Sequence, residues 1–270
     1  MKHTLKRIAA ALERLAPPPP AAADWLDAPA YVWTGAGARA VPQIVAPPLN
    51  LLQGIDKQKA AAAENVRRHA AGLPAHDMLL WGARGMGKSA LVRASVATAQ
   101  GAHGDTLALV QVGADALATL ADLFAALAVV ERRFVVFIDD LGFADGDSDG
   151  PRRLRSWLDG GVEARPANVR LAVTSNRRAV VARHLDEQDD PLNPRDVVDD
   201  QLALADRFGL SLGFHACNQD DYLAMVAGYA EAQGLDWDRG EALEWSKRRG
   251  ARSGRVAMHF VTELAGRQGA

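Results

Sequence analysis

One eight-residue stretch limits what this chain can fold into more than any other: Gly82-Ala83-Arg84-Gly85-Met86-Gly87-Lys88-Ser89. It fits the pattern G-x-x-x-x-G-K-[ST], follows the apolar run Met78–Trp81, and opens a stretch of helical character from Ser89 to Ala99. Glycines at these spacings let consecutive backbone N–H groups turn inward around a phosphate, and the N-terminus of the following helix adds a favourable dipole. Lys88 is then placed to reach β- and γ-phosphates. Ser89 offers a hydroxyl to Mg²⁺, a hard cation that prefers oxygen ligands, and Ala90 continues the first helical turn. The alternative, a glycine-rich turn with an exposed lysine, is disfavoured by the strand and helix on either side. The expected ligand is Mg-ATP.

A strand–loop–helix unit of this kind needs further βα units around it. Short apolar runs supply them at Met78–Trp81, Leu107–Val112, Phe134–Ile138, Val169–Thr174 and Leu210–Phe214, separated by helical stretches. The runs are continuous rather than alternating, as strands buried on both faces of a parallel sheet should be. The fold class expected is therefore α/β, a P-loop αβα core with a five-stranded parallel sheet. After Phe214 only helical patterns remain, over 219–233, 238–249 and 254–266, with Gly234 and Gly250 as stops. These read as a small helical domain. The expected division is 1–47 for an N-terminal helix, linker and irregular segment, 48–214 for the nucleotide-binding core, and 215–270 for the helical lid.

Leu5, Ile8, Leu12 and Leu15 lie at helical spacing, and Pro17 to Pro20 then forces an extended spacer. The basic and apolar start resembles a signal peptide only superficially, because Glu13 and Arg14 interrupt it early. From 21 to 48, Trp25, Tyr31 and Trp33 follow no clear period, so irregular structure packed on the core is expected there. The acidic stretch 185–200 reads as a solvated loop. Every apolar run is broken by charge well short of the roughly 20 residues of a spanning helix, so no membrane partner is expected. Cys217 is the single cysteine and offers no disulfide framework, which fits a cytoplasmic location. A formal net charge of −2 gives no global attraction to polyanions, so any such partner must be met locally.

Four further places suit phosphoryl chemistry. The run Phe134–Ile138 ends in Asp139-Asp140, the arrangement in which the first acid holds Mg²⁺ and the second prepares the attacking water. Asp139 is the metal-side candidate with Ser89, and Asp140 stands where a longer glutamate is usual. Asn176 follows the strand Val169–Thr174, where strand ends of an open sheet face the ligand crevice, and is a candidate for orienting the water. Arg207, before the last strand, is an arginine-finger candidate, with a local ion pair to Asp206 as its alternative. Arg255 opens the last helix, where the dipole disfavours a cation, and is a candidate for reaching the phosphates from the lid.

Together these residues resemble the AAA+ superfamily and, within it, the bacterial predicted-ATPase family called domain of unknown function 815. The resemblance spans about 48 to 265 and rests on Gly54-Ile55-Asp56, Leu79 to Gly85, Asp139-Asp140-Leu141, Thr174-Ser175-Asn176-Arg177-Arg178, Asp206 to Leu210 and Ser253-Gly254-Arg255. It implies ATP at the junction of core and lid, with adenine near Gly54 and Ile55, and assembly into a homo-oligomer in which Arg207 serves a neighbouring subunit. Where the family carries Asp-Asp-Leu-Ser-Phe-Glu, this chain has Ala144 in place of the glutamate, with Asp145 one step later.

Three functions compete: an ATPase remodelling or regulating an unknown macromolecular partner, a slow ATP-gated switch, and a nucleic-acid loader. Arg152, Arg153 and Arg155 and the lid run Lys247-Arg248-Arg249 prompt the last, although such runs are usually solvated helix faces. No metal site beyond Mg²⁺ is indicated, because the seven histidines are scattered, and no nucleophile elbow is present.

Overall fold

In the computed structural model, residues 23–141, 165–176 and 206–269 are described, with isolated positions at 4, 6, 7 and 158. The expected N-terminal helix and Pro17–Pro20 spacer, the acidic stretch 185–200, Ala144, Asp145 and the arginines at 152, 153 and 155 lie outside the described residues. Within them the chain runs β1 (Ala30–Trp33), β2 (Ala38–Val41), α1 (Asp56–Ala70), β3 (Met78–Gly82) and α2 (Lys88–His103). It continues through β4 (Leu107–Val112), α3 (Leu120–Ala128), β5 (Arg133–Ile138), β6 (Val169–Ser175) and β7 (Leu210–Phe214). Helices α4 (Gln219–Glu231), α5 (Arg239–Arg248) and α6 (Gly254–Gln268) follow.

Side chains alternate across a strand, and here both faces are buried. Met78, Leu80, Leu107, Leu109, Val135 and Phe137 enter one core with α1 and α2. Leu79, Ala108, Val110, Phe134, Val136 and Ile138 enter the other with α3. The sheet order is β2-β1-β4-β5-β6-β3-β7, parallel throughout except for the β1–β2 pair. Strand β3 thus lies between β6 and β7, which brings three strand ends to the phosphate loop.

All five expected strands are present, but the sheet has seven strands, not five. The expectation of irregular structure over 21–48 is corrected at Ala30–Trp33 and Ala38–Val41. Strand β1 adds parallel to β4, with Tyr31 opposite Val110, and β2 closes that edge. The segment before β1 is tied down by the buried guanidinium of Arg132, which donates to the carbonyls of Trp25 and Ala28, both at 2.8 Å.

The last three helices pack together. Tyr222 and Val226 of α4 share a core with Phe260 and Val261 of α6. Each helix begins with a side-chain cap: Asn218 in a reciprocal capping box with Asp221, Asp238 accepting from the Glu241 N–H, and Ser253 accepting from the Val256 N–H. Among the described residues no helix is long and apolar enough to cross a membrane.

Candidate functional site

The loop from Gly82 to Lys88 needs backbone that only glycine supplies without strain. Gly82, Gly85 and Gly87 have φ of 118°, 73° and 88°. At Gly82 a Cβ would stand 2.1 Å from the carbonyl oxygen of Phe214, the β7 residue beside it, and the Ala83 N–H donates to that same oxygen at 2.8 Å. The far end of the loop meets the lid. The Arg255 N–H donates to the Gly85 carbonyl at 3.1 Å, and a Cβ on Gly85 would lie 2.8 Å from Ser253 Oγ.

Lys88 opens α2 with its side chain folded into the loop. Its Nζ donates to the carbonyls of Gly82 (2.9 Å) and Ala83 (2.8 Å) and to Asn176 Oδ1 (3.0 Å). Burial pushes this ammonium below its ordinary pKa against the opposing pull of Asp140 and Asp139, while Arg84 and Arg255 act with burial. An anion arriving here therefore relieves an electrostatic cost.

The β5–β6 register sets Ile138 against Val173, so Asp139, just past β5, meets Thr174 near the end of β6. Ser89 Oγ donates to Asp139 Oδ1 at 2.6 Å, and Thr174 Oγ1 donates to the same oxygen at 2.7 Å. Beside this string runs a second, in which Lys88 reaches Asn176, and Asn176 Nδ2 donates to Asp140 Oδ1. Asp140 has φ 50°, the one non-glycine residue with positive φ among those described. Such a conformation costs on the order of 1–2 kcal/mol, less for Asp than for most residues. A hydroxyl and a carboxylate joined through one hydrogen suit Mg²⁺: the Ser89 oxygen keeps lone pairs for the cation while its own proton points to Asp139. Among the described residues no cluster of three or more His, Cys, Asp or Glu suggests a different metal.

These groups line one side of a cavity of about 670 Å³ between core and lid. Such a volume is ordinary for a ligand of nucleotide size. The polar end holds Lys88, Ser89, Asp139, Asp140 and Asn176. Val45, Pro47, Leu52 and Ile55, from before the phosphate loop, and Met225 and Tyr229 of α4 add apolar lining.

The family model described as protein of unknown function, DUF815, matches residues 26–268. The chain belongs to the DUF815 family. Comparison with curated proteins gave no match. Among solved structures, this DUF815 protein is similar to the Holliday junction branch migration motor RuvB of Thermotoga maritima, at 20% identity and a TM-score of 0.52, covering 82% of this chain and 65% of that one. It is likewise similar to the Aeropyrum pernix ORC1 protein, solved in complex with DNA, at 17% identity and a TM-score of 0.55, with the same coverage. The chain thus spans slightly less than two thirds of these proteins. At such identities the likeness shows the fold alone, a mostly parallel α/β core.

Of the residues singled out in the DUF815 sequence, Ile55, Gly85, Met86, Gly87 and Ala90 line the cavity with the polar group above, and so does Arg255. Gly82, Ala83, Arg84 and Gly54 do not. Gly54 packs under the lid instead, where a Cβ would meet Met225 Cε at 3.1 Å. Arg207 lies apart, just before β7, whose far residue Phe214 is the one beside Gly82. The four steps from Leu210 to Phe214 alone span about 13 Å, so Arg207 stands at the opposite end of the sheet from the cavity.

Sequence reasoning missed several walls of the cavity in this DUF815 chain. Arg93 lies one turn beyond Ser89 on α2, His259 one turn beyond Arg255 on α6, and Tyr229 one turn beyond Met225 on α4. Spacing of i, i+4 from a recognised site residue would have flagged the first two. Val45 to Pro47 gave no local signal, because only the fold of the chain around Leu52 brings them there. Thr174 stood within a quoted motif, but only the register shows what its hydroxyl touches.

Proposed function

We propose that this protein binds Mg-ATP between core and lid and hydrolyses it, coupling the cycle to a macromolecular partner through a homo-oligomer. The observation that carries this reading is the pair of hydrogen-bonded strings, Ser89–Asp139–Thr174 and Lys88–Asn176–Asp140, at the phosphate-loop end of a nucleotide-sized cavity. Ser89 and Asp139 would hold Mg²⁺, which supplies charge neutralisation on the phosphates. Lys88 spends all three of its donors on Gly82, Ala83 and Asn176, so it exchanges at least one of them for phosphate oxygen on binding. That exchange loosens Asn176 and with it the carboxylate of Asp140. Asp140 then accepts a proton from water as the water oxygen bonds to the γ-phosphorus, and the bond from that phosphorus to the bridging oxygen breaks, leaving ADP with the electron pair. Arg255 stabilises the phosphates from the lid. Arg207, being remote from its own cavity, serves the site of a neighbouring subunit.

A slow ATP-gated switch is the second reading. It is favoured by the engagement of Asp140 with Asn176 and by the bond from Arg255 to Gly85, which ties lid position to the loop. The branch migration motor RuvB and the DNA-bound ORC1 make nucleic acid one partner class to test. Fluorescent-nucleotide titration is expected to show Mg²⁺-dependent ATP binding that Lys88→Ala weakens at least tenfold without unfolding the protein. Wild-type affinity in a folded Lys88→Ala variant removes the proposal. Steady-state turnover with and without single- and double-stranded DNA separates the readings: stimulation points to a loader, tight binding with negligible turnover to the switch, and a DNA-independent rate to a protein partner.

A further inference from the structure

The two neighbouring acids differ in what holds them, yet one hydroxyl touches both. Thr174, 1% exposed at the end of β6, donates from Oγ1 to Asp139 Oδ1 at 2.7 Å and accepts from the Asp140 N–H at 2.8 Å. Its own carbonyl accepts from the Leu141 N–H at 2.8 Å. The chain leaving β5 is thus pinned to a single residue at the point where Asp140 takes up its left-handed φ of 50°.

That backbone turn matters because of what Asp140 lacks. Its carboxylate is one methylene shorter than the glutamate usual after the metal-side acid, so its reach is decided by where the backbone aims it. The left-handed turn brings the carboxylate to Asn176 Nδ2 at the rim of the cavity. A right-handed or extended Asp140 would direct the same short side chain elsewhere. The partner that receives the Asp140 N–H in this conformation is a side chain, not a sheet carbonyl, so the turn depends on residue type at 174.

We infer that Thr174 is a positioning residue: its hydroxyl holds Asp140 in the left-handed conformation, aims the short carboxylate at the attacking water, and holds Asp139 jointly with Ser89 for the metal. The inference rests on the hydrolytic reading above. A serine keeps the donor and acceptor, whereas a valine keeps the shape and removes both.

Thr174→Ser is expected to retain kcat within about twofold, and Thr174→Val to lower it about tenfold or more with nucleotide Kd changed by only a few fold. In an Asp140→Asn background, Thr174→Val is expected to cost no more than about twofold further, because the two residues act as one unit. Hydrogen exchange at the Asp140 amide, followed in nucleotide-free protein, is expected to be slow in wild type and Thr174→Ser and fast in Thr174→Val. Should Thr174→Val not fold, Thr174→Ala carries the same comparisons. Wild-type kcat in Thr174→Val, or an undiminished loss in the Asp140→Asn background, overturns the inference. If the wild-type protein binds ATP without turning it over, the hydrolytic reading fails by itself. Positioning is then decided by amide exchange together with the Mg²⁺ dependence of ATP affinity, and Thr174→Val behaving as wild type in both overturns it.

Discussion

Asp139 and Asp140 are neighbours in the chain with different partners, and that difference separates their expected roles. Asp139 accepts from two hydroxyls, those of Ser89 and Thr174, and lies where a metal-bound serine needs its proton held. Asp140 meets the amide of Asn176. Asp140→Asn is therefore expected to leave Mg-ATP affinity within a few fold while lowering turnover by about 10² or more, the scale of a lost general base. Asp139→Asn should instead shift the Mg²⁺ concentration needed for tight nucleotide binding. Titrating Mg²⁺ at fixed ATP and measuring single-turnover rates distinguishes the two. Normal hydrolysis by Asp140→Asn would assign the base to another group, Asp145 first. The adjacency of the two acids was plain from the residues alone. The left-handed turn that parts them was not, because it depends on a hydroxyl from a different strand.

At the level of elements, two contacts decide whether α1 and β3 can sit where they do. His69, on the buried face of α1, hydrogen-bonds the Phe134 carbonyl at 3.1 Å, and the carbonyl can only accept, so the imidazole is carried with its proton on Nε2. Burial pushes its pKa down to about 4, aided by the charges of Arg170, Arg133 and Arg165, while the bond to Phe134 opposes the shift. Because the folded value is below the unfolded one, this stability is fully present above about pH 6.5 and is lost as pH falls through about 4. It amounts to about 3 kcal/mol. Urea unfolding across that window should show the loss, and His69→Gln should flatten it; an equally steep fall in the variant would point elsewhere. In β3, Gly82→Ala should destabilise the protein by about 3 kcal/mol or more, since the Phe214 carbonyl 2.1 Å from the new Cβ is backbone that cannot step aside. A melting temperature within a degree or two of wild type would contradict that geometry. The β3 run was legible because it is continuously apolar and bounded by the glycine-rich loop. β1 and β2 were not, because four-residue strands carry little periodicity and β1 finds its partner, β4, far along the chain.

Across the whole molecule, the separation of Arg207 from the cavity of its own subunit makes assembly the expected condition for turnover. Activity per subunit should rise with protein concentration as the oligomer forms. Arg207→Ala should bind ATP normally and turn over about 10³-fold more slowly or worse, the scale of a lost arginine finger. Mixing gives a sharper measurement. Lys88→Ala subunits lack a working site but keep Arg207, whereas Arg207→Ala subunits bind ATP but lack the finger. Two inactive variants that recover activity together place the finger in trans. Full activity of Arg207→Ala, or flat activity per subunit from a monomer, returns Arg207 to the role of an Asp206 partner.

By itself the sequence determined the P-loop, the five strands β3 to β7, and the helical character after Phe214, because each is written in residues close along the chain. Glycine spacing, apolar runs and capping residues act over a turn of helix or a few steps of strand, and their physics is local. The tertiary structure alone decided strands β1 and β2, the apolar walls from Val45, Met225 and Tyr229, the contact of the last helix with Gly85, and the hydroxyl of Thr174 between the acids. Each of these depends on register between segments distant in sequence, where a shift of one residue turns a side chain to the opposite face.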